Sequence, residues 1–247
     1  MKRILLLLMA FFCCTISFAQ FNYSYTNVQK ITTTYTDISS TGTAIAMTDA
    51  ETGSSAAPIN IGFSFNFNGT VFNQCTIHAD GILRFGTVAP GSHPSLFANN
   101  SIASGTAFTT TDANYQNVVF ALFMDLVQGN QPPVYHVLTE GVAPNRVTTI
   151  QWKNLKDNNN SGSVLQSQFD NLEFQVKLYE ASNNIEIIYG NFVPSANAVV
   201  ARLAQVGVKA SGTVFIGAKR SNSPNILEIT EFFDLAAHTL FPSSFPL

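Results

Sequence analysis

Four histidines, a scatter of carboxylates and one cysteine beyond the N-terminal stretch are the residues here equipped for chemistry, and their spacing limits what chemistry that is. His78, His93, His136 and His238 lie far apart, and no two share a metal-ligand spacing on one element. The chain has no HExxH, no GxSxG and no glycine-rich phosphate loop. His78 and His136 sit in alternating stretches and read as satisfied or exposed strand residues. Glu173 and Glu186 fall on the same outward side of a predicted hairpin, with Glu180 at its turn. Two carboxylates flanking a cleft are what a glycosidase needs, but polar pairs on a solvated strand face are routine and are the favoured account of them. The compact EXDXXE arrangement of one large sandwich glycosidase family is missing.

Asp125 closes the apolar run 118–124. A buried carboxylate must be paired or hydrogen-bonded, so Asp125 is expected to cap turn amides at a strand end, with cation ligation as the competing role. Asp157-Asn158-Asn159-Asn160 offers oxygens that calcium accepts, but without spaced acids it reads as a solvated turn. Tyr179 points outward on the predicted hairpin and is the candidate contact residue of a binding face; Phe21, Tyr23 and Tyr25 alternate nearer the start. With 21 Phe and one Trp, most of the aromatic content reads as core, Trp152 included. No catalytic residue, cofactor site or metal site is assigned. Cys75 alternates in phase with Val71, Ile77 and Ala79, and is expected to be a small buried apolar side chain.

These side chains must be positioned by strands. Ile61, Phe63, Phe65 and Phe67 alternate with Gly62, Ser64 and Asn66. Asn68-Gly69 follows as a hairpin turn, because both residues tolerate positive φ, and 71–78 is the return strand. Asp80-Gly81 turns the chain again into 82–85, giving an antiparallel meander. The run 118–124 is apolar throughout and belongs where both faces are covered. Strands at 134–138 and 146–155 follow, then a loop at 157–163. Next comes a hairpin pairing Glu180 with Ile185, Leu178 with Ile187 and Val176 with Tyr189, with Tyr179 opposite Glu186. Strands at 199–208, 214–218 and 226–230 complete the set, and 231–237 is the one stretch with helical character. The segments 41–57 and 91–113 read as long connections or edge strands. About a dozen short strands at this spacing make an all-β antiparallel sandwich of the jelly-roll or lectin-like kind.

Composition and the N-terminus point outside the cell. Lys2-Arg3, an apolar run from Ile4 to Phe12 and the small residues of Ser17-Phe18-Ala19 form a secretory signal, with cleavage expected between Ala19 and Gln20. The run is shorter than the roughly 20 residues that span a bilayer, so no membrane span is expected after cleavage. Cys13 follows Phe11-Phe12, a context that argues against lipid attachment. Residues 1–19 are thus the leader and 20–247 one sandwich domain, large enough to bury a core without disulfides; Cys75 is the only cysteine it contains. Charged residues make up 11% of the chain, and its 12 basic and 15 acidic residues form no block. Nucleic acid, which needs clustered Lys and Arg, is therefore not an expected partner. Hydroxyls and amides carry the solubility instead.

The run IGFSFNFNGTVFNQCTIHADGILRFG, residues 61–86, resembles a β-sandwich module of secreted Bacteroidetes proteins associated with type IX secretion, similar in layout to the nidogen-type extracellular domain. The resemblance continues through Phe120-Ala121-Leu122-Phe123-Met124-Asp125, Thr149-Ile150-Gln151-Trp152-Lys153, the Phe174-Gln175 hairpin and Gln205-Val206-Gly207-Val208. Nidogen-type domains tend to carry Trp before the Asp, where this chain has Phe123-Met124. No sorting domain follows Leu247; either the chain continues or export ends differently here. The resemblance implies fold and an extracellular setting, and is nearly silent on activity. The resulting expectation is a non-enzymatic surface module for adhesion, recognition or spacing, whose partner is an extracellular glycan or protein; the alternative is a secreted carbohydrate-active hydrolase.

Overall fold

The computed structural model describes residues 23–91, 110–158, 167–196, 204–212, 214–218, 226–227 and 237–242. The leader with its Ala19–Gln20 junction, Phe21, residues 92–109 of the expected 91–113 connection with His93, residues 159–163 of the polar loop, 199–203 of the strand expected at 199–208, 228–230 of that expected at 226–230 and 231–236 of the stretch expected to be helical lie outside them; the last residue of that stretch, Ala237, begins a strand instead.

The strands in chain order are β1 (Tyr23–Ile31), β2 (Thr43–Ala44), β3 (Ile59–Phe67), β4 (Thr70–His78), β5 (Ile82–Phe85), β6 (Val118–Phe123), β7 (Leu126–Gln128) and β8 (Val134–Glu140). They continue as β9 (Val147–Asp157), β10 (Phe169–Tyr179), β11 (Ile185–Tyr189), β12 (Val193–Pro194), β13 (Gln205–Ser211), β14 (Val214–Ala218), β15 (Ile226–Leu227) and β16 (Ala237–Pro242). They form two sheets. The larger runs β1-β16-β11-β10-β9-β8-β2, with β12 beside β10 and β7 beside β9; the smaller runs β15-β14-β13-β6-β5-β4-β3. All described pairings are antiparallel except β14 with β15. The expected all-β sandwich is the observed architecture.

Alternation builds the smaller sheet. Ile61, Phe63, Phe65 and Phe67 are all buried while Asn60 and Ser64 are exposed. Asn68 and Gly69 turn the hairpin with φ of 51° and 77°, the left-handed pair such a turn requires. At Gly81, φ is 74° and an added Cβ would lie 2.6 Å from the Leu122 carbonyl oxygen, so only glycine fits. β6 is buried along its whole length because both faces are covered. Val119 and Ala121 enter the core between the sheets, whereas Val118, Phe120 and Phe123 join Ile82, Tyr115 and Phe215 in a second apolar cluster.

Large aromatics of the larger sheet bond across the core. Trp152 stacks on Phe174 with centroids 5.2 Å apart, and its indole N–H donates to the His78 carbonyl at 2.9 Å. The Tyr189 hydroxyl donates to the Ala121 carbonyl at 2.8 Å. Each buried polar tip is thereby satisfied by the opposite sheet.

Two expectations need correction. The β10–β11 hairpin pairs Val176 with Ile187 and Leu178 with Ile185, two residues out from the expected register. The loop closes at Tyr179 and Asn184 rather than at Glu180 and Ile185, because Asn183 takes a left-handed φ of 54°. A shift of two keeps every side chain on its predicted face. Val71, expected in phase with buried Cys75, is 58% exposed. Phe72 and Cys75 both face the core, so the alternation of β4 changes phase between them and Val71 turns outward.

Candidate functional site

Outward-pointing side chains of the larger sheet form a polar surface, and this surface is covered. On β9 and β10 the residues that alternate with the core are Thr149, Gln151 and Lys153, and Glu173, Gln175, Lys177 and Tyr179. Residues 32–42 leave β1 at one edge of the sheet, cross this outer face and enter β2 at the opposite edge. Gln151 and Gln175 are fully buried beneath the crossing. They are paired neighbours on adjacent strands, and Gln175 Nε2 donates to Gln151 Oε1 at 2.7 Å. The same Gln175 nitrogen donates to the Thr36 carbonyl at 2.7 Å. Gln151 Oε1 accepts the Ile38 amide at 3.0 Å, and Gln151 Nε2 donates to Asp37 Oδ1 and Ser39 Oγ, each at 3.0 Å. Lys153 closes the clip through an ion pair with Asp37. Burial alone would raise the Asp37 carboxyl, but hydrogen bonds from Lys153, Ser39 and Gln151 outweigh it and hold the group well below the usual carboxylate range.

The acids singled out from sequence are each engaged in holding chain segments together. Glu180 forms a forked pair with Arg146, Nε to Oε2 at 2.8 Å and Nη2 to Oε1 at 2.5 Å. Arg146 Nη1 reaches across to the Gly62 carbonyl of the other sheet at 2.6 Å. Glu186 is buried on the outer face and accepts the Tyr179 hydroxyl. Glu173 Oε1 accepts the Asn191 amide at 3.2 Å. At the opposite end from the β10–β11 turn, Asp80 Oδ1 accepts the Leu126 amide at 2.9 Å, and Asp125 Oδ2 accepts the Asn158 side-chain amide at 3.0 Å. Asp157 receives the amides of Gln168 and Phe169 at 2.9 and 3.0 Å, one on each oxygen. Among the described residues, no three His, Cys, Asp or Glu side chains converge as a metal site would require.

A family model described as NIDO related, the nidogen-related type, matches residues 22–242. The chain belongs to the NIDO-related family. No curated protein and no solved structure matches it.

Within this NIDO-related sandwich, the sequence-predicted residues are dispersed. Tyr179 does point outward, but it is half-buried, and its hydroxyl is engaged by Glu186. Burial, followed by that carboxylate, raises its phenol above the ordinary tyrosine range. Asp125 secures the start of the polar loop through Asn158, and Asp157 at the end of β9 caps the amides of Gln168 and Phe169. His78 is buried and its Nδ1 accepts the Asp80 amide at 3.1 Å, one of the roles expected of it. His136 lies on the outer face of β8, its Nδ1 buried without a partner.

The crossing segment was not foreseen. Its signal was present in two places: glutamines at paired positions of β9 and β10, and the inward alternation of Ile31, Thr33 and Tyr35. An outward amide on a strand ordinarily means solvent, and only a segment distant in sequence converts it into a buried clip.

Proposed function

We propose that this NIDO-related protein is exported and works outside the cell as a non-enzymatic module for adhesion, ligand recognition or spacing. The observation that carries the reading is the use of its acids. Glu173, Glu180, Glu186, Asp80, Asp125 and Asp157 each hold a turn, a loop or a neighbouring side chain, as a rigid scaffold for surface loops requires. A leader ending at Ala19, with Gln20 the first mature residue, and a neutral surface rich in hydroxyls and amides support the extracellular setting. So does membership of the NIDO-related family. No helix among the described residues is long and apolar enough to cross a membrane. The setting we favour is the surface of a Bacteroidetes cell, with an extracellular glycan or protein as partner and no cofactor.

A glycan array combined with a pull-down, using residues 20–247, tests this reading. Saturable binding to a glycan class or surface protein, weakened by changes on the outer hairpin face at Tyr179, is the expected result. Steady product release from a polysaccharide without stable retention would replace it with the hydrolase reading.

A further inference from the structure

We propose that residues 32–42 form an acid-released strap: Asp37 latches the segment across the larger sheet at neutral pH, and its protonation lets the strap lift and uncover the Gln151–Gln175 row. Three features of the seat lead there. First, among the described residues, the bonds joining strap to sheet run through side chains of β9 and β10, with no backbone ladder beneath the crossing. Such a segment can separate without breaking a sheet. Second, the closed seat is incompletely satisfied. Gln175 Oε1 and His136 Nδ1 are buried without a hydrogen-bond partner, a condition that opposes closure because both would be solvated on the open sheet. Third, Asp37 joins the strap to β9 twice: its carboxylate accepts from Gln151 Nε2 at 3.0 Å and pairs with Lys153, while the Ser39 amide and hydroxyl, at 2.9 and 2.6 Å, orient it from within the strap.

The titratable groups around this latch are few. β9 presents Lys153; β10 presents Glu173, which acts on Tyr35 of the strap together with Asp37 itself. β8 presents His136, paired with Gln151, and in the same row β11 presents the uncharged Ile188. Protonation of Asp37 removes its ion pair with Lys153.

The direction follows from linkage. Despite the opposing effect of burial, the closed strap holds the Asp37 carboxyl below its ordinary value of 3.8. A group depressed in the closed state favours closure above its open-state value, and that contribution disappears as pH falls below it. Closure is therefore at full strength above about pH 5 and weakens below about pH 4, by at most about sevenfold at pH 3, because solvent screens the exposed latch and the Ser39 bonds stay with the lifted strap.

Hydrogen exchange on the full chain reads this directly. The Ile38 amide, bonded to Gln151 Oε1, reports the strap, and peptides from β10 report the sheet. After correction for intrinsic exchange, protection at residues 36–40 should fall between pH 7 and pH 3, by up to about sevenfold, while β10 stays protected. D37N should show reduced strap protection already at pH 7 and little further change in acid; should D37N not fold, K153Q, which leaves Asp37 its Gln151 and Ser39 bonds, should show a partial loss at pH 7 and a shallower acid response. Strap protection that ignores pH, strap and β10 opening together, or an acid transition that survives in D37N overturns the proposal.

Discussion

Truncating Phe174 to alanine should strike the centre of the sandwich. The side chain is fully buried and lies stacked on Trp152, with the ring planes 15° apart. Trp152 in turn fastens β9 to His78 of the opposite sheet. Loss of a buried aromatic costs about 3–5 kcal/mol, and the ring stacking is about 0.5–1.5 kcal/mol of that. Against a total stability of about 5–15 kcal/mol for a typical domain, Phe174→Ala removes a large fraction. Lys177 lies three residues along the same strand on the outward face, and Lys177→Ala should change stability by less than about 0.5 kcal/mol. Urea titration followed by the fluorescence of Trp152, the single tryptophan, and in parallel by far-ultraviolet circular dichroism compares the two. Equal losses, or a Phe174→Ala variant within about 0.5 kcal/mol of wild type, would refute the assignment of core and outer faces.

Other outcomes follow from single positions. Gly69→Ala should incur only the left-handed backbone penalty of about 1–2 kcal/mol, because nothing lies near its added Cβ; Gly81→Ala should cost more, since the new atom meets the Leu122 backbone, and thermal melts of the two variants give the comparison. Burial pushes the Cys75 thiol up to about 12, so iodoacetamide at pH 8 should leave the folded protein unmodified and alkylate it in urea; rapid labelling of the native state would contradict the burial. Lys209 is buried on β13, and burial lowers its ammonium pKa to about 8, against 10.5 in the unfolded chain. Between these values the unfolded state binds more protons at this group, so its contribution to stability rises with pH from about 8, against the opposite contribution of the buried Cys75 thiol. Urea midpoints at pH 7.5 and 9.5 should show wild type gaining on Lys209→Met between the two; a constant difference would contradict the burial.

Much of the fold was legible because it depends on alternation and on turn chemistry. The period-two pattern of β3, Asn68-Gly69, Asp80-Gly81 and the apolar stretch around β6 each point to one local structure, and the structure adopts it. The hairpin register was missed by two because Asn183, rather than a more distant residue, takes the left-handed position, a choice made within the loop that leaves the facial pattern unchanged. The site was less legible. Gln151 and Gln175 carry the pattern of solvated strand residues, and their burial depends on residues 32–42, more than a hundred positions away. Asp125 and Asp157 are 32 positions apart, and only the three-dimensional path of the chain brings both against the polar loop.

The account's central claim is that this NIDO-related module binds without consuming. Its most direct test is a turnover assay of purified residues 20–247 on a panel of polysaccharides. Glu173→Gln and Glu186→Gln serve as controls, because acid–base assistance by a catalytic carboxylate contributes about 10²- to 10⁴-fold. No product above background is expected for any of the three proteins. Reproducible turnover by the unmodified protein, abolished by either substitution, would contradict it.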